Sequence, residues 1–468
     1  MQRSRWISGA AATICVVVPS LGFAQSTENR ATSATLEARI AQLEAELDSL
    51  KSEIKANRDS NSAAYSIPIH PLSQPPAAQG ASILAQTAPP AVSPAAPIET
   101  AATDGFRVGD HTIKLGGFIK VDASMSRFSG GNPPPNDLGR NIYLPSGIPI
   151  GGPREDPITD FNARQTRFWI TSDGVVGGHK VGTRLEMDFQ VLPGAGDSRT
   201  TNPSNPALRR AFVTIDNWLI GQEFSNFANA EVHPETADYV GVTDASVLVR
   251  QPQVRYSRNG WSASLEGPET TVNPYRGDAR ITTDDNSLPD ATLSYGVKRP
   301  WGQMRLAGLV RQLKYTDPAT AIDTSAMGWG LSASALVKVG EAHDLRFMLT
   351  GGEGIGRYIG LNFGNDAVLD AEGELNTIGL VSGFAAYRHQ WSPELRSNLI
   401  ASGVMMDNPE DLTGRLVNKS ASSVRGNLIW SPFKGVDIGS ELMFGKRELE
   451  NGDSGDLTRL TVFAKYGF

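Results

Sequence analysis

Apolar residues recur along this chain with two different periods, and the change of period divides it. Between Thr35 and Arg58, Leu36, Ile40, Leu43, Leu47, Leu50 and Ile54 follow one another at steps of four and three. Those steps set Ile40, Leu47 and Ile54 at a and Leu36, Leu43 and Leu50 at d of a heptad, the seam of a coiled coil. Arg39 then meets Glu44 of a parallel neighbour, Glu46 meets Lys51 and Glu53 meets Arg58, all of opposite sign. Such a and d residues lean toward two strands without fixing the number, and the alternative is one amphipathic helix lying on another surface. After Asp104 the period becomes two. Ile113, Leu115, Ile119, Val121, Ala123 and Met125 point one way and Lys114, Lys120, Asp122, Ser124 and Ser126 the other, as on a half-buried strand. Val181, Leu185, Met187, Phe189 and Val191 likewise oppose Lys180, Arg184, Glu186, Asp188 and Gln190. The pattern returns repeatedly up to Phe468, with weaker stretches near 161–171, 251–267, 302–313, 376–389 and 393–405, and predicts about sixteen strands.

Between the two regions, residues 59–103 turn to Pro, Ala, Ser and Gln, with Pro68, Pro71, Pro75, Pro76, Pro89, Pro90, Pro94 and Pro97. Proline at that density keeps neither a helix nor a core, so this is an extended, semi-stiff spacer. At the start, Arg3 and Arg5 precede an apolar run from Ile7 to Leu21 and then Gly22-Phe23-Ala24, the order of a secretory signal peptide cut after Ala24. The expected organisation is a signal peptide at 1–24, a short lead at 25–34, a coiled coil at 35–58, the spacer at 59–103 and a strand-built domain at 104–468. Cys15, the one cysteine, lies inside the signal, so no disulfide or thiolate metal site is expected.

No later stretch approaches the roughly 18 consecutive apolar residues that a membrane helix needs. Only strands can cross a bilayer here, and a composition with 48 glycines and 40% hydrophobic residues suits a barrel whose inner face meets water. Composition alone fits a soluble β-protein equally well; the C-terminus separates the two. Leu460, Val462, Ala464, Tyr466 and Phe468 alternate with Arg459, Thr461 and Lys465, so the chain stops inside an amphipathic strand on an aromatic residue. In an outer-membrane barrel the last strand must pair with the first so that no polar edge meets lipid. Tyr466 and Phe468 are therefore read as an assembly signal for the barrel-assembly machinery. The predicted fold is all-β, a transmembrane antiparallel barrel of about sixteen strands in the outer membrane of a Gram-negative bacterium, with the coiled-coil helix in the periplasm.

Several stretches resemble the DcaP-like porin family: Gly116-Gly117-Phe118-Ile119-Lys120-Val121-Asp122, Arg184-Leu185-Glu186-Met187-Asp188-Phe189, Leu208-Arg209-Arg210-Ala211-Phe212, Leu219 to Phe227, and Arg250-Gln251-Pro252-Gln253-Val254-Arg255-Tyr256. The order of coiled coil, spacer and barrel is similar too. The resemblance implies a homotrimer of sixteen-stranded pores admitting small organic acids, dicarboxylates in particular.

If the apolar register faces lipid, the opposite register lines the pore. It holds Lys114, Lys120, Lys180, Arg184, Arg210, Arg255, Arg305, Arg311, Lys338, Arg346, Arg396, Arg425, Arg459 and Lys465 against Asp122, Glu186, Asp188, Glu266, Asp437 and Glu441. Cations exceed acids there by about two to one although the whole chain carries a formal charge of -7. Such a lumen focuses anions, and the planar fork of arginine suits carboxylates. Some inward arginines, Arg184 among them, are expected to pair with inward acids and stiffen the wall. The stretch from Ser225 to Leu248 is long enough to fold back as a constriction loop. Its Glu231, Glu235, Asp238 and Asp244 would then face the arginines, and the alternative is an extracellular cap.

No catalytic or cofactor motif stands out. Gly351-Gly352-Glu353-Gly354-Ile355-Gly356 has no βαβ context and no following Lys-Ser/Thr, and the six histidines are scattered, so neither a nucleotide loop nor a zinc hydrolase is supported. Basic residues interleave with acids and form no block for nucleic acid. Besides a porin, the remaining class is a structural envelope protein whose barrel anchors a periplasmic tether. Such anchors have about eight strands, fewer than the length from Phe106 to Phe468 supplies.

Overall fold

The structure is a computed structural model that describes residues 105–190, 199 and 204–468. The signal peptide, coiled coil and spacer expected at 1–103 lie outside the described residues. The described chain closes into an antiparallel barrel of sixteen walls, the alternating segments forming strands because each buries one face and turns the other to lipid. In chain order they are β1 (His111–Phe128), β2 (Ile158–Asn162 and Arg167–Val176, one wall in two pieces), β3 (His179–Asp188), β4 (Ala207–Ile215), β5 (Trp218–Phe224), β6 (Arg250–Arg258), β7 (Trp261–Glu266) and β8 (Asp290–Arg299). The second half is β9 (Gly302–Asp317), β10 (Ile322–Val339), β11 (His343–Glu353), β12 (Gly379–Gln390), β13 (Leu395–Asp407), β14 (Asn418–Trp430), β15 (Val436–Leu449) and β16 (Ser454–Gly467). Each wall pairs with its sequence neighbours. The seam closes by β16 against β1, from Phe118 opposite Gly467 to Phe128 opposite Leu457, and is locked at its end by Phe468 N–H donating to the Gly117 carbonyl at 3.0 Å.

One end of the barrel has tight turns. Gly177-Gly178 joins β2 to β3, and Asn259-Gly260 joins β6 to β7 with φ of 54° and 85°. Left-handed backbone at both central residues suits the strand twist of a two-residue hairpin, and it is where glycine and asparagine cost least. In outer-membrane barrels this is the periplasmic end. The chain enters β1 and leaves β16 here, as an even number of walls requires. Long connections occupy the other end. Two of them, 267–289 and 354–378, join through a small sheet in which Thr270–Asn273 runs parallel to Ala367–Leu369.

The outward faces are apolar and bare: Leu115 is 64% exposed, Leu331 63%, Leu349 62% and Phe444 53%. That pattern suits lipid and is untenable in water. The buried core lies inside the barrel, between the walls and the segment 225–249. Val232, Val242 and Ala245 of this segment pack on Met348, Phe384, Ala386 and Ile400 of β11–β13. Phe227, Ala228 and Val247 pack on Ala307 and Leu309 of β9 and on Tyr358 and Ile359. The stretch 137–150 also turns inward, where Tyr143 and Ile148 meet Phe128, Met443 and Leu457. Segments 225–249 and 137–150 thus fill the interior along β9–β16 and β1, with Asn226 reaching Thr292 and Ser294 of β8 and Arg140 reaching Asp160 of β2, while the inner faces of β2–β6 keep partly exposed side chains.

Candidate solute path along the barrel interior

On β2–β5, inward side chains form a chain of ion pairs. Arg184 donates through Nε and Nη2 to Glu186 at 3.0 and 2.6 Å. Arg209 reaches Glu186 at 3.0 Å and Asp188 at 2.7 Å, Arg167 reaches Asp188 at 3.3 Å, and Arg210 holds Glu223. The carboxylates are nearly sealed while Arg184 and Arg210 keep 23% and 24% of their side-chain surface. Acids therefore sit behind and guanidiniums in front. Arg250 lies over the Phe224 ring at 5.1 Å, beside this network. Arg255 and Arg305 complete the row with neutral partners alone. Arg255 donates to Gln253 Oε1 at 2.8 Å and to the Phe224 carbonyl, and Arg305 to Asn226 and the Ser294 hydroxyl at 2.7–2.8 Å. Arg167, Arg184, Arg209, Arg210, Arg250, Arg255 and Arg305 thus form a row beside the recessed Glu186, Asp188, Glu223 and Glu266, while β2 also carries Asp160, bound to Arg140, and Asp173, and β8 and β9 carry the sealed Asp290–Arg311 pair.

Three of these arginines, Arg167, Arg209 and Arg250, were missed in the sequence. Arg209 joins Arg210 on the inner face because β4 carries one extra residue: Glu186 pairs with Arg210 but Met187 with Leu208. Such a bulge re-aims one side chain and breaks the parity of a strand without marking the sequence. Arg167 lies on β2, whose alternation is interrupted at 163–166.

The other inward cations are placed differently. Lys120, Arg311, Arg425 and Arg459 point inward but are sealed, with 0%, 1%, 1% and 5% of their surface exposed, so they brace the filled side and do not border open solvent. Lys120 binds Asp122 at 2.6 Å, and Arg311 binds Asp290 at 3.3 Å and Asp366 at 3.1 Å. Arg459 donates to Ser126 Oγ at 2.8 Å and to the Gly139 carbonyl at 2.5 Å. Arg346 is tied to Asp344 at 2.6 Å, and Lys465 to Asp437 at 2.5 Å. The inner wall stiffens itself through these pairs.

Segment 225–249 lies inside the barrel, so the extracellular cap is not its position. Its acids do not stand free across the lumen from the arginine row, however. Glu235 accepts from Arg396 at 2.7 Å, and Asp238 accepts from the Tyr143 amide at 3.2 Å and sits 3.9 Å from Arg425. Asp244 accepts from Ser402 Oγ at 2.7 Å, and Glu231 meets Lys298 at 2.8 Å near the turn end. Glu235, Asp238 and Asp244 thus dock the loop, whereas Glu231 stays exposed beside Lys298. Its tip, Tyr239, has φ of 56° and lies over Lys120 and Lys465 at 5.3 and 4.8 Å. The C-terminal aromatics face outward, Tyr466 at 51% and Phe468 at 48% exposure, with Phe468 6.1 Å from Phe168. No group of three metal-ligating side chains occurs among the described residues.

Known proteins were compared with this chain. Among curated proteins, none matches it. Among solved structures, the outer-membrane channel DcaP of Acinetobacter baumannii superposes with a TM-score of 0.64 at 23% identity, covering 78% of this chain and all of that one. OmpT of Vibrio cholerae gives 0.47 at 9% identity, over 78% of this chain and all of that one. An anion-selective porin of Comamonas acidovorans gives 0.46 at 11%, over 77% of this chain and all of that one. The family model described as DcaP outer membrane protein matches residues 165–468, nearly all the barrel beyond β1 and its loop. This chain therefore belongs to the DcaP outer membrane protein family.

Proposed function

We propose that the chain is a porin of the outer membrane whose water-filled path runs along the arginine row of β2–β9 and favours small anionic solutes, organic mono- and dicarboxylates among them. The observation that carries this is the row itself. The guanidiniums of Arg167, Arg184, Arg209, Arg210, Arg250, Arg255 and Arg305 keep part of their surface exposed, while Glu186, Asp188, Glu223 and Glu266 beside them are recessed. A narrow aqueous cleft with that surplus concentrates anions and repels cations. The segment 225–249 would act as the constriction by filling the opposite half of the lumen. As in the sequence reading, the active unit is a homotrimer, the C-terminal strand engages the barrel-assembly machinery, and the coiled coil stands in the periplasm.

Reversal potential under a salt gradient tests the proposal. The native channel should show the sign of anion preference, weakening toward 1 M salt, where the screening length falls to about 3 Å. Replacing Arg184, Arg210 and Arg255 together by Gln should remove much of that preference and slow a dicarboxylate more than a neutral sugar. A native reversal potential of the cation-selective sign would overturn the reading.

A further inference from the structure

The row of arginines is not uniform, and its periplasmic end differs in a way that matters for a ligand. Arg184, Arg209 and Arg210 each spend two or more donors on a fixed carboxylate. A passing anion must compete with that partner. Arg255 and Arg305 have none. All the bonds of Arg305 run through Nη2, to Asn226 and Ser294, which leaves its Nε and Nη1 without a protein acceptor among the described residues. Arg255 uses Nε and Nη2 and leaves Nη1 likewise. None of these three nitrogens is sealed off as a buried unpartnered atom. Both side chains line one cavity of about 730 Å³, bordered also by Lys298, Gln303, Asn217 and Glu231, which is the single acid on its lining and already bound to Lys298. Arg255 stands four residues before the Asn259-Gly260 turn and Arg305 three after the start of β9, so the cavity opens at the short-turn end.

We infer that this cavity is a discrete binding subsite for a small organic carboxylate, the last station before release to the periplasm, with Arg255 and Arg305 donating to it. The inference rests on the anion-path reading and sharpens it: the rest of the row steers, and this pair holds. Two guanidiniums with free N–H groups, held by neutral oxygens and with no carboxylate in direct ion-pair contact, are pre-set for planar, bidentate carboxylate recognition, whereas a halide gains no benefit from the fork. The neighbouring Asn, Gln and Lys donors suit a second carboxylate or a hydroxyl on the same solute, and the volume admits an acid of several carbons with its water.

The test uses the full protein in a planar bilayer with succinate as the probe. Succinate on the periplasmic side should block chloride current saturably and with weak voltage dependence, and from the external side with strong voltage dependence. The Arg255→Gln/Arg305→Gln variant should raise the half-saturating succinate concentration about tenfold or more, the loss expected when charge-assisted hydrogen bonds are removed. Its reversal potential should keep the anion sign, because the other five arginines remain. Arg184→Gln/Arg210→Gln should reduce selectivity but move half-saturation less than about threefold, a change of under 1 kcal/mol. Arg255→Lys/Arg305→Lys, which keeps charge without the fork, should fall between. Unsaturable block, or a half-saturation unmoved by the Gln pair or moved more by Arg184 and Arg210, overturns the subsite while leaving an anion-selective channel standing. The native voltage dependence decides the matter even if the Gln pair does not assemble. A cation-selective native channel instead defeats the underlying reading.

Discussion

His233 sits in the docked segment 225–249 against the Phe384 ring, its backbone carbonyl accepting from Arg346 at 2.7 Å. Burial, and then the Arg346 guanidinium, push its imidazole down to about 4. In the released loop the same ring titrates near 6.5, so below that pH the released form binds the extra proton. The stability that neutral His233 lends to docking is fully present above pH 6.5 and is lost as pH falls toward 4, about 3 kcal/mol in all. Limited proteolysis within 225–249 should therefore accelerate between pH 7 and pH 4.5, and His233→Asn should flatten that rise. An identical rise in the variant would mean that His233 is not the group responsible. At this scale the site was partly legible: parity located Arg184, Arg210, Arg255 and Arg305, but nothing in the sequence distinguishes an arginine with a carboxylate partner from one without. The partner sits on a neighbouring strand or a distant loop, as Glu235 does for Arg396.

Among the walls, three of the five weak alternations, at 302–313, 376–389 and 393–405, coincide with docking of the loop. On β12, Leu380, Phe384 and Ala386 face inward while Val381 and Ala385 face lipid, and on β13 Ile400, Val404 and Met406 oppose Leu399, Ala401 and Met405. Both faces are apolar because each has an apolar neighbour, lipid outside and the loop inside. Reduced amphipathicity at 302–313, 376–389 and 393–405 was thus a readable mark of covered wall, although it shows in the sequence only as a weak strand. On β10 the wall instead makes room: a Cβ on Gly330 would lie 3.0 Å from the Phe227 ring and 3.2 Å from Ile355. Gly330→Val should push Phe227 off the wall and loosen the first leg of the loop. Single-channel recording should find larger or flickering conductance, with the heat-stable folded band retained on gels. An unaltered, quiet conductance would mean that Phe227 can move without the loop.

For the whole molecule, the number of walls, their antiparallel order and the closure of the last strand on the first were legible because each wall repeats the same two-residue period, from Ile113 on β1 to Tyr466 on β16. Subunit association was not, since it depends on outward apolar faces that look alike on every wall. Association between barrel walls predicts that deleting Thr35 to Arg58 leaves trimers intact by native mass measurement in detergent. Monomers of the truncated protein would make the heptad segment the oligomeriser.

The placement of Tyr239 also sets an order of events. Lys120 of β1 and Lys465 of β16 stand directly opposite each other across the seam, a like-charge pairing that disfavours contact on its own. Tyr239 lies over both ammonium groups, while Asp122 and Asp437 bind one each. The two lysines come side by side only when the final strand has zipped to the first, so the loop tip has no complete seat before that moment. Seating of the loop tip is therefore expected to follow closure of the seam, and a barrel that failed to close should betray itself by a segment 225–249 adrift and open to proteases.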